Sequence, residues 1–460
     1  MSEQTKKDVA VIGGGPAGYS AAVRAAQLGA RVTLVEKDKL GGACLNWACI
    51  PTKLLLHSVE LYRSVKKAEL YGVGPGSSGI DLEKLNTRKD AVIAILTGGI
   101  SQLMSDNGVE VIQGQGCLTS ASEIMIKQDS GLSRKINAAS IIIATGSVPA
   151  GLKTPGVEST AVLYARDILE LKRIPDSLIM VGAGAVGVEL ATILSGLGCK
   201  VTLLEIMPHI LPCEDGEITP ILERTLKKDG VELYTGAAIR RIENGRGTKR
   251  VLIKVAGDEK MLEAADIAVA IGQKPYLDGL GLAELGVRIA SCGIEVNEHM
   301  ATSVSAIYAA GDVTGKSMLA YTAMAEGRAA AENALGLNSK MNYDAIPHCV
   351  FSLPELASVG LTEAEALSRG YKIRCGRSQL AANAAATILG ERRGMVKIVA
   401  EAVSGKILGV HIVGNGASEL IAECTLALGL GASVKDLQTT LHAHPTLSEA
   451  VWEAALNLRV

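Results

Sequence analysis

Two cysteines, Cys44 and Cys49, lie five positions apart in the stretch Gly41-Gly42-Ala43-Cys44-Leu45-Asn46-Trp47-Ala48-Cys49-Ile50-Pro51-Thr52-Lys53. A close thiol pair can exchange with a disulfide, ligate a metal, or simply pack in a core. The remaining cysteines (Cys117, Cys199, Cys213, Cys292, Cys349, Cys375 and Cys424) are scattered, with no second close pair or flanking histidine to complete a zinc set, so no metal site is expected. On a regular helix a five-residue step rises ~7.5 Å and turns about 140°, placing the two Cα atoms roughly 8.6 Å apart. A disulfide needs less than about 7 Å. Either the pair is never bridged or the backbone here departs from a regular helix; Pro51 disfavours helical geometry at Ile50 and favours such a distortion. Near the other end, His442-Ala443-His444-Pro445-Thr446-Leu447-Ser448-Glu449 offers imidazole and carboxylate. Histidines are more often structural than catalytic, and Thr446 to Glu449 by itself fits a helix capping box.

The elements that would position these groups repeat. Val9-Ala10-Val11-Ile12 reads as a buried strand, Gly13-Gly14-Gly15-Pro16-Ala17-Gly18 as a tight turn, and an Ala-rich helix runs on to about Leu28. A strand from Arg31 then ends in Glu36. Gly13, Gly15 and Gly18 would let backbone N–H groups approach a pyrophosphate at a helix N-terminus, and Glu36 would accept bonds from a ribose diol. The same order recurs at Ser177–Val181, Gly182-Ala183-Gly184-Ala185-Val186-Gly187, a helix to Leu197, and a strand from Lys200 ending in Glu205. Gly13 to Glu36 and Gly182 to Glu205 are each a step of 23 residues, so two dinucleotide sites of common design are expected. Ile206 and Met207 come after Glu205 with no arginine, so a 2′-phosphate would meet repulsion and no cation; the second site should prefer NAD to NADP.

Helices are expected from Leu54 to about Leu70 and over 81–107, joined by a Gly/Pro/Ser-rich turn at 72–79. Ile141 to Gly146 reads as a strand ending in a glycine turn, Ile307 to Asp312 as another, and a helix covers 318–335. From Pro347 the pattern changes: strands at 348–351, 371–378, 395–400 and 406–413 precede helices at 417–429 and 447–457. The fold class is α/β, with two Rossmann-like dinucleotide-binding domains and an α+β C-terminal domain. The domains expected are 1–148 and 149–276 for the two nucleotides, a central 277–346 that completes the first site, and 347–460. With 460 residues, a net charge of −2 and no basic block, nucleic acid and anionic membranes are not expected partners. No apolar run reaches membrane-span length and no signal peptide is evident, so a cytoplasmic location is the default expectation.

These motifs, in this order, resemble the flavoprotein pyridine nucleotide–disulfide oxidoreductases over essentially the whole chain. The resemblance rests on the two Gly turns with Glu36, Glu189 and Glu205, the Cys44/Cys49 stretch, Ala144-Thr145-Gly146, Ala310-Gly311-Asp312, and the His444 to Glu449 run. It implies FAD held by Gly13, Gly15, Gly18, Glu36, Gly42, Lys53, Gly116, Thr145, Gly146, Asp312 and Ala320. It implies NAD at Gly182, Gly184, Gly187, Glu189, Glu205 and Gly272. By the same resemblance Cys44 and Cys49 are bridged in the oxidised enzyme, Cys44 exchanging with substrate and Cys49 facing the flavin. His444 is the base, Glu449 its carboxylate partner, and Lys53–Glu189 an ion pair beside the flavin. A homodimer is implied, in which the C-terminal dimerisation domain supplies its histidine to the other subunit. The nearest branch of the family oxidises dihydrolipoyl groups carried by a lipoyl-bearing protein of a 2-oxoacid dehydrogenase or glycine-cleavage system. The alternatives are reduction of another small disulfide and a flavin-bearing assembly subunit. Ala43, Trp47, Ala48, Thr52, Gln273 and Tyr321 depart from the residues usual in the family at those places.

Overall fold

The computed structural model describes residues 8–74, 79–128 and 130–458, so residues 75–78 of the turn expected at 72–79 lie outside the described residues. The chain divides into two compact units. One is built from 1–52, 83–150 and 272–342, the other from 53–82, 151–271 and 343–460.

The first unit is centred on a five-stranded parallel sheet in the order Ile307–Ala309, Ser140–Ile143, Asp8–Ile12, Arg31–Glu36, Glu110–Gln113. Val9, Val11, Leu34, Ile141 and Ile142 are almost fully buried, as continuous apolar runs require when both faces of a parallel sheet are covered. Small residues let the helices approach closely. A Cβ added to Gly327 of the helix Ala320–Ala334 would meet Ala17 O, in the helix Pro16–Gln27, at 2.1 Å. A separate antiparallel sheet runs Gln115–Ser120, Glu123–Lys127, Ser133–Asn137.

The second unit carries its own parallel sheet, ordered Glu232–Tyr234, Lys200–Leu204, Ser177–Val181, Asp266–Val269, with the helix Ala185–Gly196 coming after the central strand. A three-stranded antiparallel sheet spans Ala238–Asn244, Lys249–Val255 and Asp258–Ala264. The C-terminal region is a five-stranded antiparallel sheet in the order Pro347–Val350, Glu355–Gly360, Ile407–Gly414, Met395–Glu401, Ile373–Gln379, backed by the helices Ala417–Gly429 and Glu449–Leu456. Sequence patterning misses the strand Glu355–Gly360. Its Leu356, Ala357 and Val359 are buried between two neighbours, so it shows neither clean alternation nor a long apolar run. Among the described residues no helix is long and apolar enough to cross a membrane.

Candidate functional site

The two Gly turns fold alike because each glycine has a separate steric task. Gly13 and Gly182 take φ of +104° and +100°, which side-chain-bearing residues rarely adopt. A Cβ on Gly18 would meet Gly13 O at 1.7 Å, and one on Gly187 would meet Gly182 O at 1.9 Å, so helix and turn touch only because both lack side chains. The middle glycines instead face space. A Cβ on Gly184 would meet nothing within 4 Å, and one on Gly15 only Gly42 Cα, at 3.9 Å. Each opening lies at a helix N-terminus, where the first N–H groups have no intrahelical acceptor and the dipole favours an anion. Both turns therefore fit a dinucleotide pyrophosphate. The acids close them from the next strand: Glu36 accepts from Gly14 N (2.6 Å) and Asp38 N (2.7 Å), Glu205 from Ala183 N (2.7 Å) and Met207 N (2.9 Å).

The cysteines flank a break in the helix. Cys44 lies in the short helix Gly42–Trp47, Ala48 leaves helical geometry (φ −139°, ψ −95°), and Cys49 begins the helix Cys49–Lys67. The backbone thus departs from a single regular helix, but at Ala48 and not at Ile50. Pro51 sits in the first turn of the second helix, where a missing N–H costs nothing. The cysteine helix is tied to the first Gly turn. Gly41 N donates to Gly14 O at 2.8 Å, and a Cβ on Gly42 would meet Gly15 Cα at 2.7 Å. Asn46 Nδ2 donates to Leu40 O (3.0 Å) and Gly42 O (2.9 Å), while its Oδ1 is buried with no donor among the described groups. That orphaned acceptor beside the Gly turn is a further sign that the site fits a cofactor. Burial, then the charges of Cys44 and Cys49, push the Tyr19 phenol up to about 12.

In the second unit Lys53 Nζ lies 2.9 and 3.1 Å from the two carboxylate oxygens of Glu189. Glu189 is only 5% exposed and also accepts from Phe351 N at 2.9 Å; Lys53 sits 4.3 Å above the Phe351 ring. Phe351 gave no motif signal, and only the fold reveals it.

His444 Nδ1 lies 2.9 Å from Glu449 Oε1, while Glu449 Oε2 accepts from Thr446 N at 2.9 Å. One carboxylate holds the ring and the chain entering the last helix. The Thr446 N–H first, and His444 second, lower the Glu449 carboxyl below its ordinary range. The reciprocal half of the capping box is absent: Ser448 is the N-cap, and Thr446 Oγ1 donates to Ala443 O at 2.7 Å. His444 is largely exposed, its side chain at 72%, whereas His442 is buried and paired with Glu423 at 3.1 Å.

The remaining predicted residues divide between open turns and packed positions. Asp312 accepts from Ser147 Oγ at 2.5 Å, and burial raises its carboxyl. Thr145 Oγ1 donates to Tyr276 O at 2.9 Å, Gly146 has φ +74° with open space beside it, and Ala320 opens its helix. Gly116 is a packing residue, its Cβ position 3.2 Å from Ile12 and 3.5 Å from Val35 side chains. Gly272 (φ +113°) belongs by its contacts to the first unit, where its carbonyl accepts from Ala150 N.

Paired nucleotide turns, a thiol pair on a broken helix beside one of them, and a C-terminal sheet domain define a class, and the family models agree. Residues 7–327 match the pyridine nucleotide-disulphide oxidoreductase model, and residues 346–455 match that family's dimerisation domain; the chain belongs to this family. It is an oxidoreductase whose cofactors are FAD and NAD. It is 42% identical to a protein named dihydrolipoyl dehydrogenase from Thermus scotoductus, over 97% of this chain and 96% of the relative. It is 40% identical to one of the same name from Chlorobaculum tepidum, over 98% and 96%. The solved structure of a Cu(II) complex of the HOCl-induced flavoprotein disulfide reductase RclA from Escherichia coli superposes with a TM-score of 0.88 at 26% identity, covering 98% of this chain and 99% of that one.

Proposed function

We propose that this chain oxidises protein-bound dihydrolipoyl groups to the lipoyl disulfide and reduces NAD⁺ to NADH, working as a homodimer. The observation that carries the reading is the break at Ala48 between Cys44 and Cys49, seated against the first Gly turn. It frees the pair from the spacing that a regular helix would impose. The dihydrolipoyl dehydrogenases to which the chain is similar over nearly full length give the substrate class. FAD, when bound, supplies two-electron chemistry between the dithiol and the nicotinamide. The chain's own residues do the rest. A substrate thiolate attacks Cys44 Sγ of a Cys44–Cys49 disulfide, and Cys49 leaves as thiolate. The second substrate thiol then attacks its partner sulfur, releasing Cys44 and the lipoyl disulfide. His444 takes the proton from the attacking substrate thiol, leaving a nucleophilic thiolate, and can return it to a departing sulfur, while Glu449 holds the ring. The first Gly turn with Glu36, Asp312, Thr145 and Gly146 holds FAD; the second, with Glu205, holds NAD.

The test is to mix purified yellow protein with dihydrolipoamide and NAD⁺ and monitor NADH. Rapid NADH formation, lost in Cys44→Ser and Cys49→Ser, is expected. NADPH-driven reduction of other disulfides without NADH formation would replace this reading with that of a reductase.

A further inference from the structure

The second unit contains an open surface depression of about 370 Å³ between the helix Thr219–Lys228 and the connection joining the strands Ile373–Gln379 and Met395–Glu401. Four cations line it, Arg224, Lys228, Arg392 and Arg393, and no acid does. Arg224 and Lys228 are one helical turn apart and share a face, a like-charge spacing that opposes itself unless an anion intervenes. The neighbouring acids are engaged elsewhere. Glu391 pairs with Lys67 at 2.7 Å, Asp229 with Arg63 at 2.8 Å, and Glu223 accepts from Ile210 N at 3.3 Å. Among the described residues Arg224, Lys228 and Arg393 have no carboxylate partner. Arg392 donates through Nε (3.3 Å) and Nη2 (2.9 Å) to Ala381 O, which fixes its fork without neutralising it. The Gln379 amide N–H group has only the Met395 sulfur, at 3.0 Å, as acceptor.

We propose that this depression binds a small polyphosphate anion, at a site separate from the two dinucleotide turns. Four formal positive charges match the three to four negative charges of a pyrophosphate or nucleoside polyphosphate better than a single carboxylate. The guanidinium forks of Arg224 and Arg393 suit the paired oxygens of phosphoryl groups, with Arg392 adding its charge. The volume admits a short phosphate chain, and no aromatic side chain lines the walls to stack on a base. Both free pyrophosphate and the tail of a nucleotide present this chemistry.

The experiment is calorimetric titration of the FAD-loaded protein, with NAD⁺ saturating so that the second Gly turn is filled, using pyrophosphate, ATP and sulfate at matched ionic strength. One pyrophosphate per chain is expected, with affinity falling steeply as salt rises. The triple variant Arg224→Gln/Lys228→Gln/Arg393→Gln should bind at least tenfold more weakly. Its dithiol-to-NAD⁺ turnover in the absence of anion should be unchanged, which also shows that it is folded. ATP binding as tightly as pyrophosphate would assign the site to any polyphosphate tail; weaker ATP binding would assign it to the free anion. Sulfate binding as tightly as pyrophosphate, or undiminished pyrophosphate binding by the triple variant, would overturn the proposal.

Discussion

The two nucleotide units use the same turn and then diverge. Strand, glycine spacing, backbone angles and the clamping acid agree within a few degrees and tenths of an ångström. Beyond the acid the two chains of residues part. After Glu36 the backbone turns at once into the cysteine helix, and Gly42 lies over Gly15, so the first turn is partly covered by the element that carries the thiols. After Glu205 it continues to Glu214, Asp215 and Glu217, which anchor on the C-terminal sheet, and Gly184 is left facing open space. The equivalent helix position also differs: seven residues after the first glycine stand Ser20 in one unit and Glu189 in the other. A covered turn suits a resident FAD, and an open one suits an NAD that must leave after each turnover. On the proposed function, the same local geometry serves two kinetic roles set by its surroundings.

The sharpest way to break that comparison is to fill both middle glycines. Gly184→Val projects into free space, so the protein should fold and stay yellow. It should bind NAD⁺ about 100-fold more weakly, because the lost backbone contacts to a pyrophosphate amount to a few charge-assisted hydrogen bonds. Gly15→Val extends its branched side chain toward Gly42, which a Cβ would already touch at 3.9 Å, and should yield protein without flavin. Flavin content by absorbance and NAD⁺ affinity by titration separate the two; loss of flavin in both variants would mean that the turns do not differ in role.

Next in size is the dithiol side. Glu449→Gln keeps an acceptor oxygen but removes the charge facing His444. In rapid-mixing experiments reduction of the enzyme by dihydrolipoamide should slow about 100-fold, while reduction by NADH is unchanged and the melting temperature moves by a degree or two. A large drop in melting temperature with little kinetic change would mean that the bond to Thr446 N is the one that matters.

Much of this arrangement was legible in the sequence, and the parts that were not have physical reasons. Glycines, acids and apolar strands are local signals, so both turns and their spacing can be read directly. The break between the cysteines was readable as a necessity but not in its place, because Pro51 is tolerated in a first helical turn and the distortion fell on Ala48. Gly116 shares a residue type with the turn glycines, but its Cβ position is packed against Ile12, Ile124 and Val35, so its surroundings differ from theirs. Phe351, which caps the Lys53–Glu189 pair, and Lys397, fully buried beneath three carboxylates, depend on contacts distant in sequence, and nothing in their own neighbourhoods marks them.

The Lys53–Glu189 pair gives the third test. Glu189 is buried, so Lys53→Met leaves its charge held by the Phe351 N–H without the lysine and should cost about 2 kcal/mol in denaturant unfolding, less than for a fully buried pair because the lysine side chain is 32% exposed. The double variant Lys53→Met/Glu189→Gln should recover most of that loss. Equal stability of single and double variants would mean that the pair is not coupled.

The smallest effect expected is in acid, and it too separates the units. Lys397 is 0% exposed and lies 2.9 Å from Asp215 and Glu217 and 2.7 Å from Glu363, while Arg377 also pairs with Glu217. The Arg377 guanidinium, opposed by partial burial and helped by Lys397, lowers Glu217 from 4.5 to about 2. Burial pushes Asp215 up, but Lys397 and the Glu217 N–H outweigh it and the net direction is down. A carboxylate depressed in the folded state contributes its full stability above its unfolded pKa and loses it as pH falls through the folded one. The cluster should therefore hold the loop after Glu205 at neutral pH and release stability between about pH 4.5 and 2. Glu217→Gln should flatten the stability curve across that window and shift the acid-unfolding midpoint by only a few tenths of a pH unit, because this carboxylate is partly exposed and screened. Circular dichroism against pH, with flavin release recorded in parallel, reads both units at once. If the variant shifts flavin release as much as it shifts unfolding, the acid sensitivity belongs to the whole chain and the distinction between the loops after Glu36 and Glu205 fails.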